Sequence, residues 1–139
     1  MQNRALVLDA NILIRAVLGV RTRQILEHYA AGASFFVPEV ALSEAQEHLA
    51  TLVARRGGEP AKALRLLAAL VGLVEMVGPD IYGHHETEAR KRLGTRDPDD
   101  WPILASALAL GCPIWTEDTD FFGCGVATWT SKNVEIFLD

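Results

Sequence analysis

The apolar positions of this chain fall into short continuous runs separated by longer stretches with a helical repeat. Ala5, Leu6, Val7 and Leu8 form an uninterrupted run that stops at Asp9, the pattern of a strand buried on both faces of a parallel sheet. A short helix is predicted over Ile12 to Leu18, so Asp9 and Asn11 share a strand-to-helix corner. Arg21 to Ala31 follows as a helix with Ile25, Leu26 and Tyr29 inward and Gly32 at its end. Phe35 to Val37 is a second strand. Pro38 opens a long helix reaching about Arg56, whose apolar stripe is Leu42, Ala45, Leu49, Leu52 and Val53. Gly57, Gly58 and Pro60 break it, Ala61 to Leu73 is helical again, and Val74 to Val77 is a third strand. The polar segment from Pro79 reads as an exposed helix. Its His84 and His85 diverge by about 100° on such a helix, which argues against a shared metal ion. Pro113 to Thr116 and Gly125 to Trp129 are the last strands, and Val134 to Leu138 closes against the core. Strands alternating with helices in this way predict an α/β sandwich around a parallel sheet, with residues 1–139 as one domain.

The segment from Arg96 to Phe121 places acids at both ends of one apolar stretch: Asp97, Asp99 and Asp100 before it, Glu117, Asp118 and Asp120 after it. Pro98 disfavours helical angles at Asp97, and Pro102 lacks an amide N–H. A helix is therefore predicted to start with Asp99 as N-cap and Pro102 in the first turn. Ile103, Leu104, Ala107 and Leu108 recur at helical spacing and Gly111 ends the helix. The connection to the next strand is so short that helix and strand must run antiparallel, which brings Asp118 back to the end where Asp100 sits. Ligands of open parallel sheets bind beyond the carboxyl ends of the strands, so Asp9, Asp100 and Asp118 are expected at one edge. Glu44 lies roughly 9 Å along its helix from that edge, and a glutamate can lean back towards it. Each acid taken singly also suits a helix cap or a turn, and His48 forms no zinc motif with Glu44. Together they carry a penalty. Two carboxylates about 4 Å apart repel by roughly 1 kcal/mol in water and roughly 4 kcal/mol at an effective dielectric of 20, unless a bound cation or a raised pKa removes the repulsion.

Composition changes this picture little. A chain of 139 residues with 50% hydrophobic and 22% charged positions suits one globular domain. Ile103 to Trp115 is shorter than a membrane span and contains Ser106, Gly111 and Pro113. Asp9, Asn11 and Arg15 interrupt the stretch a signal peptide would need, so a cytoplasmic location is expected. Cys112 and Cys124 have no metal-ligand spacing and read as reduced buried thiols, with a bridge between two strand starts as the alternative. The formal charge of −5 runs against nucleic-acid binding. Its distribution does not: Arg21 with Arg23, Arg55 with Arg56, and Arg90, Lys91, Arg92 and Arg96 form local basic groups, while acid concentrates in the stretches suspected of holding metal. Each basic group also suits a solvated helix face.

L-D-A-N-I at Leu8 to Ile12, V-A-L-S-E ending at Glu44, D-D-W-P-I-L-A-S-A-L at Asp99 to Leu108 and T-E-D-T-D-F at Thr116 to Phe121 together resemble the PIN-domain ribonucleases, in particular VapC-type toxins of toxin-antitoxin pairs. The resemblance covers nearly the whole chain. It implies a three-layer α/β/α sandwich with strand order 3-2-1-4-5 and Mg2+- or Mn2+-dependent cleavage of single-stranded or structured RNA. It also implies a small antitoxin partner and a homodimer. The family's acidic positions fall on Asp9, Glu44, Asp100 and Asp118, with Asp120 as an accessory acid and Asn11 and Thr116 as polar support. Glu117, Asp97 and Asp99 stand close enough to compete for these roles. Hard oxygen ligands without a cysteine or histidine pair favour Mg2+ or Mn2+ over zinc. The expected chemistry is attack of metal-activated water on phosphorus, leaving 5′-phosphate and 3′-hydroxyl ends. Two other readings remain: a receiver-type phosphoacceptor, which would need paired acids after the first strand, and a catalytically silent PIN module that binds a protein partner.

Overall fold

The computed structural model describes residues 4–139 and contains a five-stranded, all-parallel sheet of order β3-β2-β1-β4-β5. The strands are β1 (Arg4–Leu8), β2 (Ala33–Pro38), β3 (Glu75–Val77), β4 (Ile114–Trp115) and β5 (Thr128–Trp129). β1 is the central strand. Leu6, Val7 and Leu8 are wholly buried, because a strand covered by helices on both faces has no solvent side for alternation to report.

The crossovers dictate the layers. β1 to β2 runs through α1 (Ala10–Leu18) and α2 (Arg21–Tyr29), and β2 to β3 through α3 (Glu39–Arg55) and α4 (Pro60–Val71). Both step the same way across the sheet. The connection from β3 to β4 steps back the other way, through α5 (Pro79–Tyr82), α6 (Glu86–Leu93) and α7 (Trp101–Leu110). Right-handed crossovers put helices from opposite steps on opposite faces. Accordingly α1 to α4 pack on one another, α5 and α6 pack on α7, and α7 lies on β1 and β2. The order reverses at β1, so the switch point lies between β1 and β4, the crevice where parallel sheets bind ligands. A short α8 (Val134–Leu138) buries Val134 and Leu138.

Several boundaries differ from the sequence expectation for identifiable reasons. α1 begins at Ala10 rather than Ile12 because Asp9 itself caps it. α7 begins after Asp100, not Asp99, because the Asp100 N–H closes a 3-10 turn on the Asp97 carbonyl at 3.1 Å. The inner face of α3 is Ala41, Ala45 and Leu49, with Leu42, Leu52 and Val53 flanking it half-buried. The segment after Pro79 is not a plain exposed helix. It breaks at a 3-10 turn over Gly83–His85 and buries Tyr82, Ala89 and Leu93. Cys112 and Cys124 are free and buried, and burial pushes the Cys112 thiol up to about 11. Among the described residues no helix is long and apolar enough to cross a membrane.

Trp115 anchors the switch point from below. It is wholly buried, its ring lies 6.1 Å from that of Phe35, and its indole N–H donates to the Ser131 hydroxyl at 3.1 Å. Trp115→Ala should therefore cost about 3–5 kcal/mol of stability in denaturant unfolding; a cost below about 1 kcal/mol would contradict this core.

Candidate active site

In-register pairing of Leu8 with Trp115 sets Asp9 beside Thr116 just beyond the carboxyl ends of the two central strands. Asp9 is 6% exposed. One of its carboxylate oxygens accepts the Ile12 N–H at 3.1 Å, capping α1, and the other accepts the Thr116 hydroxyl. The same Thr116 oxygen accepts the Asp118 N–H at 2.9 Å, and an Asp118 carboxylate oxygen accepts the Asp120 N–H at 2.9 Å. This relay fixes the corner after β4 against the corner after β1. Both alternatives raised by the sequence thus hold for Asp9, which caps a helix and also faces other acids.

The second group of carboxylates arrives from the front of α7. Carboxylate oxygens of Asp97, Asp100 and Asp118 all lie within 4.8 Å of one another. Glu44 joins them across a cleft of about 450 Å³ lined by Glu44, Asp97, Asp99 and Asp100 over a floor of Val40, Ala41, Pro102 and Ile103. The two sides of this cleft are braced. The Tyr82 hydroxyl donates to Glu39 at the start of α3 at 2.7 Å, Tyr82 packs edge-on against Trp101 at 5.5 Å, and the Arg90 guanidinium lies 5.2 Å over Trp101. Behind the cluster, Arg92 donates to the Cys124 carbonyl at 3.2 Å and Arg96 to the Phe122 carbonyl, tying the loop that follows Asp118 to the end of α6. Gly125, at φ +86, leaves room for this: a Cβ there would stand 2.9 Å from Arg92.

Crowding shows in the acid strengths. Burial, then the negative charges of Asp118 and Glu44, push Asp9 up to about 6 despite the bonds from Thr116 and Ile12 that favour its ionised form. Burial, followed by Asp97 and then Asp118, pushes Asp100 up to about 8. Clustered hard oxygen donors with raised proton affinity are suited to a divalent cation of the Mg2+ or Mn2+ type, which would replace the protons.

Of the residues expected from the sequence, Asp9, Thr116, Asp118, Asp100 and Glu44 meet at this edge. Asp120 contributes its N–H to Asp118. Asn11 is exposed and lies in a neighbouring groove with Glu47 and His48. Asp97 is the added member. Its signal was the D-P-D-D run, because side chains three residues apart eclipse in a 3-10 turn.

A profile of the PIN domain matches residues 7–139. The chain belongs to the PIN-domain family. This PIN domain shares its fold with solved toxin-antitoxin structures. One is a DNA-bound VapBC from Salmonella typhimurium, with TM-score 0.71, 16% identity and coverage of 94% of this chain and 99% of that one. Another is VapBC2 from Rickettsia felis bound to a promoter DNA fragment, with TM-score 0.68, 16% identity and coverage of 91% and 98%. A toxin-antitoxin complex from Klebsiella pneumoniae gives TM-score 0.67, 19% identity and coverage of 91% and 97%. A comparison with curated protein sequences finds no match. Membership in the family sets aside the receiver-type alternative.

Because the folded chain holds the Asp9 proton more tightly than the unfolded chain does, the stability this gives is complete below the ordinary aspartate range and is lost as pH rises through about 6. The loss at neutral pH and above is roughly 3 kcal/mol. In metal-free protein, Asp9→Asn should melt higher than wild type by a margin that grows from about pH 4 to about pH 7. A constant or shrinking margin in parallel thermal scans would contradict the raised proton affinity of the buried Asp9.

Proposed function

We propose that this PIN domain is a metal-dependent endoribonuclease, the toxin of a toxin-antitoxin pair, with the whole chain acting as one catalytic unit. The observation that carries the reading is the convergence of Asp97, Asp100 and Asp118 oxygens within 4.8 Å, next to the buried Asp9 and opposite Glu44. Asp9, Asp100 and Asp118 would hold Mg2+ or Mn2+, with Glu44 completing the set or orienting water and Asp97 as a further ligand. Such an ion supplies a water of lowered pKa and positive charge at the scissile phosphate. The chain's own residues do the rest. Thr116 fixes the Asp9 carboxylate by donating to one of its oxygens, and fixes Asp118 by accepting its N–H. Asp120 holds the Asp118 carboxylate through its N–H. Val40, Ala41, Pro102 and Ile103 supply the apolar part of the cleft's lining beside the acids.

In-line attack by water on the phosphorus leaves a 5′-phosphate on one product and a 3′-hydroxyl on the other. An antitoxin partner accords with the toxin-antitoxin complexes that share the fold, and a homodimer and a cytoplasmic location go with this reading. Incubation with single-stranded RNA and Mn2+ tests it. Wild type should cleave, Asp9→Asn and Asp118→Asn should be inactive though folded, and Thr116→Val should lose about 10–100-fold through its effect on the two acids it orients. Products ending in 2′,3′-cyclic phosphate would refute water attack. Absence of Mn2+-dependent cleavage with correctly folded protein would favour a silent binding module.

A further inference from the structure

The sequence singles out basic pairs that the acid cleft does not use, and the fold gives some of them a common address. Among the described residues, six arginines are engaged within the protein. Arg4 lies over Phe137 and Arg90 over Trp101, Arg21 pairs with Glu135, Arg23 and Arg96 donate to backbone carbonyls, and Arg92 pairs with Glu88. Arg15, Arg55, Arg56 and Arg65 are exposed, and none of these four makes a hydrogen bond or ion pair through its guanidinium among the described residues. Three of the four line two grooves that meet.

The first groove holds Asn11, His48 and Arg55, along with Glu47. The second holds Arg15, Arg56 and the Glu135-paired Arg21. Ile14 borders both, so they adjoin at that side chain. The first groove and the acid cleft are both lined by α3. Glu44, His48, Thr51 and Arg55 fall at i, i+4, i+7 and i+11 on one exposed face of α3. Glu44 lines the cleft and Arg55 stands about 16 Å further along the helix axis. On the opposite wall Asn11 follows Asp9 at the start of α1. A chain whose net charge is −5 thus keeps three uncommitted guanidinium groups in one channel beside its acids.

We propose that the channel between α1 and α3, from Asn11 to Arg56, carries the phosphodiester backbone of a single-stranded RNA away from the acid cleft; this rests on the ribonuclease reading. Arg15, Arg55 and Arg56 bind phosphates, and the apolar wall at Ile14 and Leu52 lies against bases or sugars. The span from Glu44 to Arg55 accommodates a few nucleotides. Guanidinium forks match phosphates and carboxylates alike, but no Phe, Tyr or Trp lines the channel to anchor a docked protein segment, which favours the RNA backbone as its occupant.

The test measures binding of a labelled oligouridylate by fluorescence anisotropy across a salt series, in an Asp9→Asn background with Mn2+ present. The triple variant Arg15→Ala, Arg55→Ala, Arg56→Ala should bind about tenfold or more weakly, and its log K against log salt should be shallower by about 2, at about 0.7 per lost contact to a single strand. The corresponding triple lysine variant should keep the slope, and Mn2+ affinity should be unchanged in both. RNA binding with unaltered affinity and slope overturns the channel while leaving the nuclease reading intact. Failure of the parent to bind RNA at all overturns both. Tighter binding of an oligoglutamate of equal charge identifies a protein-docking groove and overturns the proposal.

Discussion

Mutual repulsion of carboxylates at the switch point is the constraint around which this fold is arranged. Nothing in the chemistry of Asp97, Asp100, Asp118 and Asp9 draws them together; the backbone does. The in-register pairing of β1 with β4 fixes Asp9 beside Thr116, and the antiparallel course of α7 and β4 returns Asp118 to Asp100. The core that holds them there is dense and apolar, with Leu8, Ile12, Leu104 and Trp115 wholly buried beneath the acids. Burial first, and the neighbouring carboxylates second, push Asp9 up to about 6 and Asp100 up to about 8, so in metal-free protein protons offset part of the strain. A divalent cation meets it better near neutral pH, since it compensates several carboxylates at once.

The polar scaffold around the acids follows from the same constraint. A buried carboxylate that must stay aimed at a cleft needs donors on its other lone pairs. Asp9 has two, from Thr116 and Ile12. Asp118 is oriented by the Asp120 N–H, and the loop beyond it is held by the guanidinium groups of Arg92 in α6 and Arg96 just after it rather than by regular secondary structure. Arginine suits that task because one planar head can reach several carbonyls, as Arg96 does with Leu93, Arg92 and Phe122.

Much of this was legible in the sequence, unevenly. The apolar run ending at Asp9 identified the central strand because complete burial removes alternation, and the short link after Gly111 alone implied that Asp100 and Asp118 share an end. What the sequence hid was local. A 3-10 turn at Pro98–Asp100 delays α7 by a residue and turns Asp97 from a neighbour of the cluster into a member. Asn11 and Asp9 are two residues apart yet differ in setting, since Asp9 is buried at the cap of α1 and bonded to Ile12 and Thr116 while Asn11 is exposed and lines a groove with His48 of α3. Neither distinction follows from periodicity, which reports which face is buried and not where a side chain at the rim points. The uncommitted arginines were visible as pairs, but only the packing of α1 on α3 joins Arg15 to Arg55 and Arg56.

The claim that most of this depends on is that the gathered acids hold a hard divalent ion. Anomalous diffraction from crystals grown with Mn2+ tests it directly. The account predicts a peak between the carboxylates of Asp97, Asp100 and Asp118, on the side facing Asp9. Full-occupancy manganese elsewhere, or no peak with the carboxylates ordered as described, would contradict it.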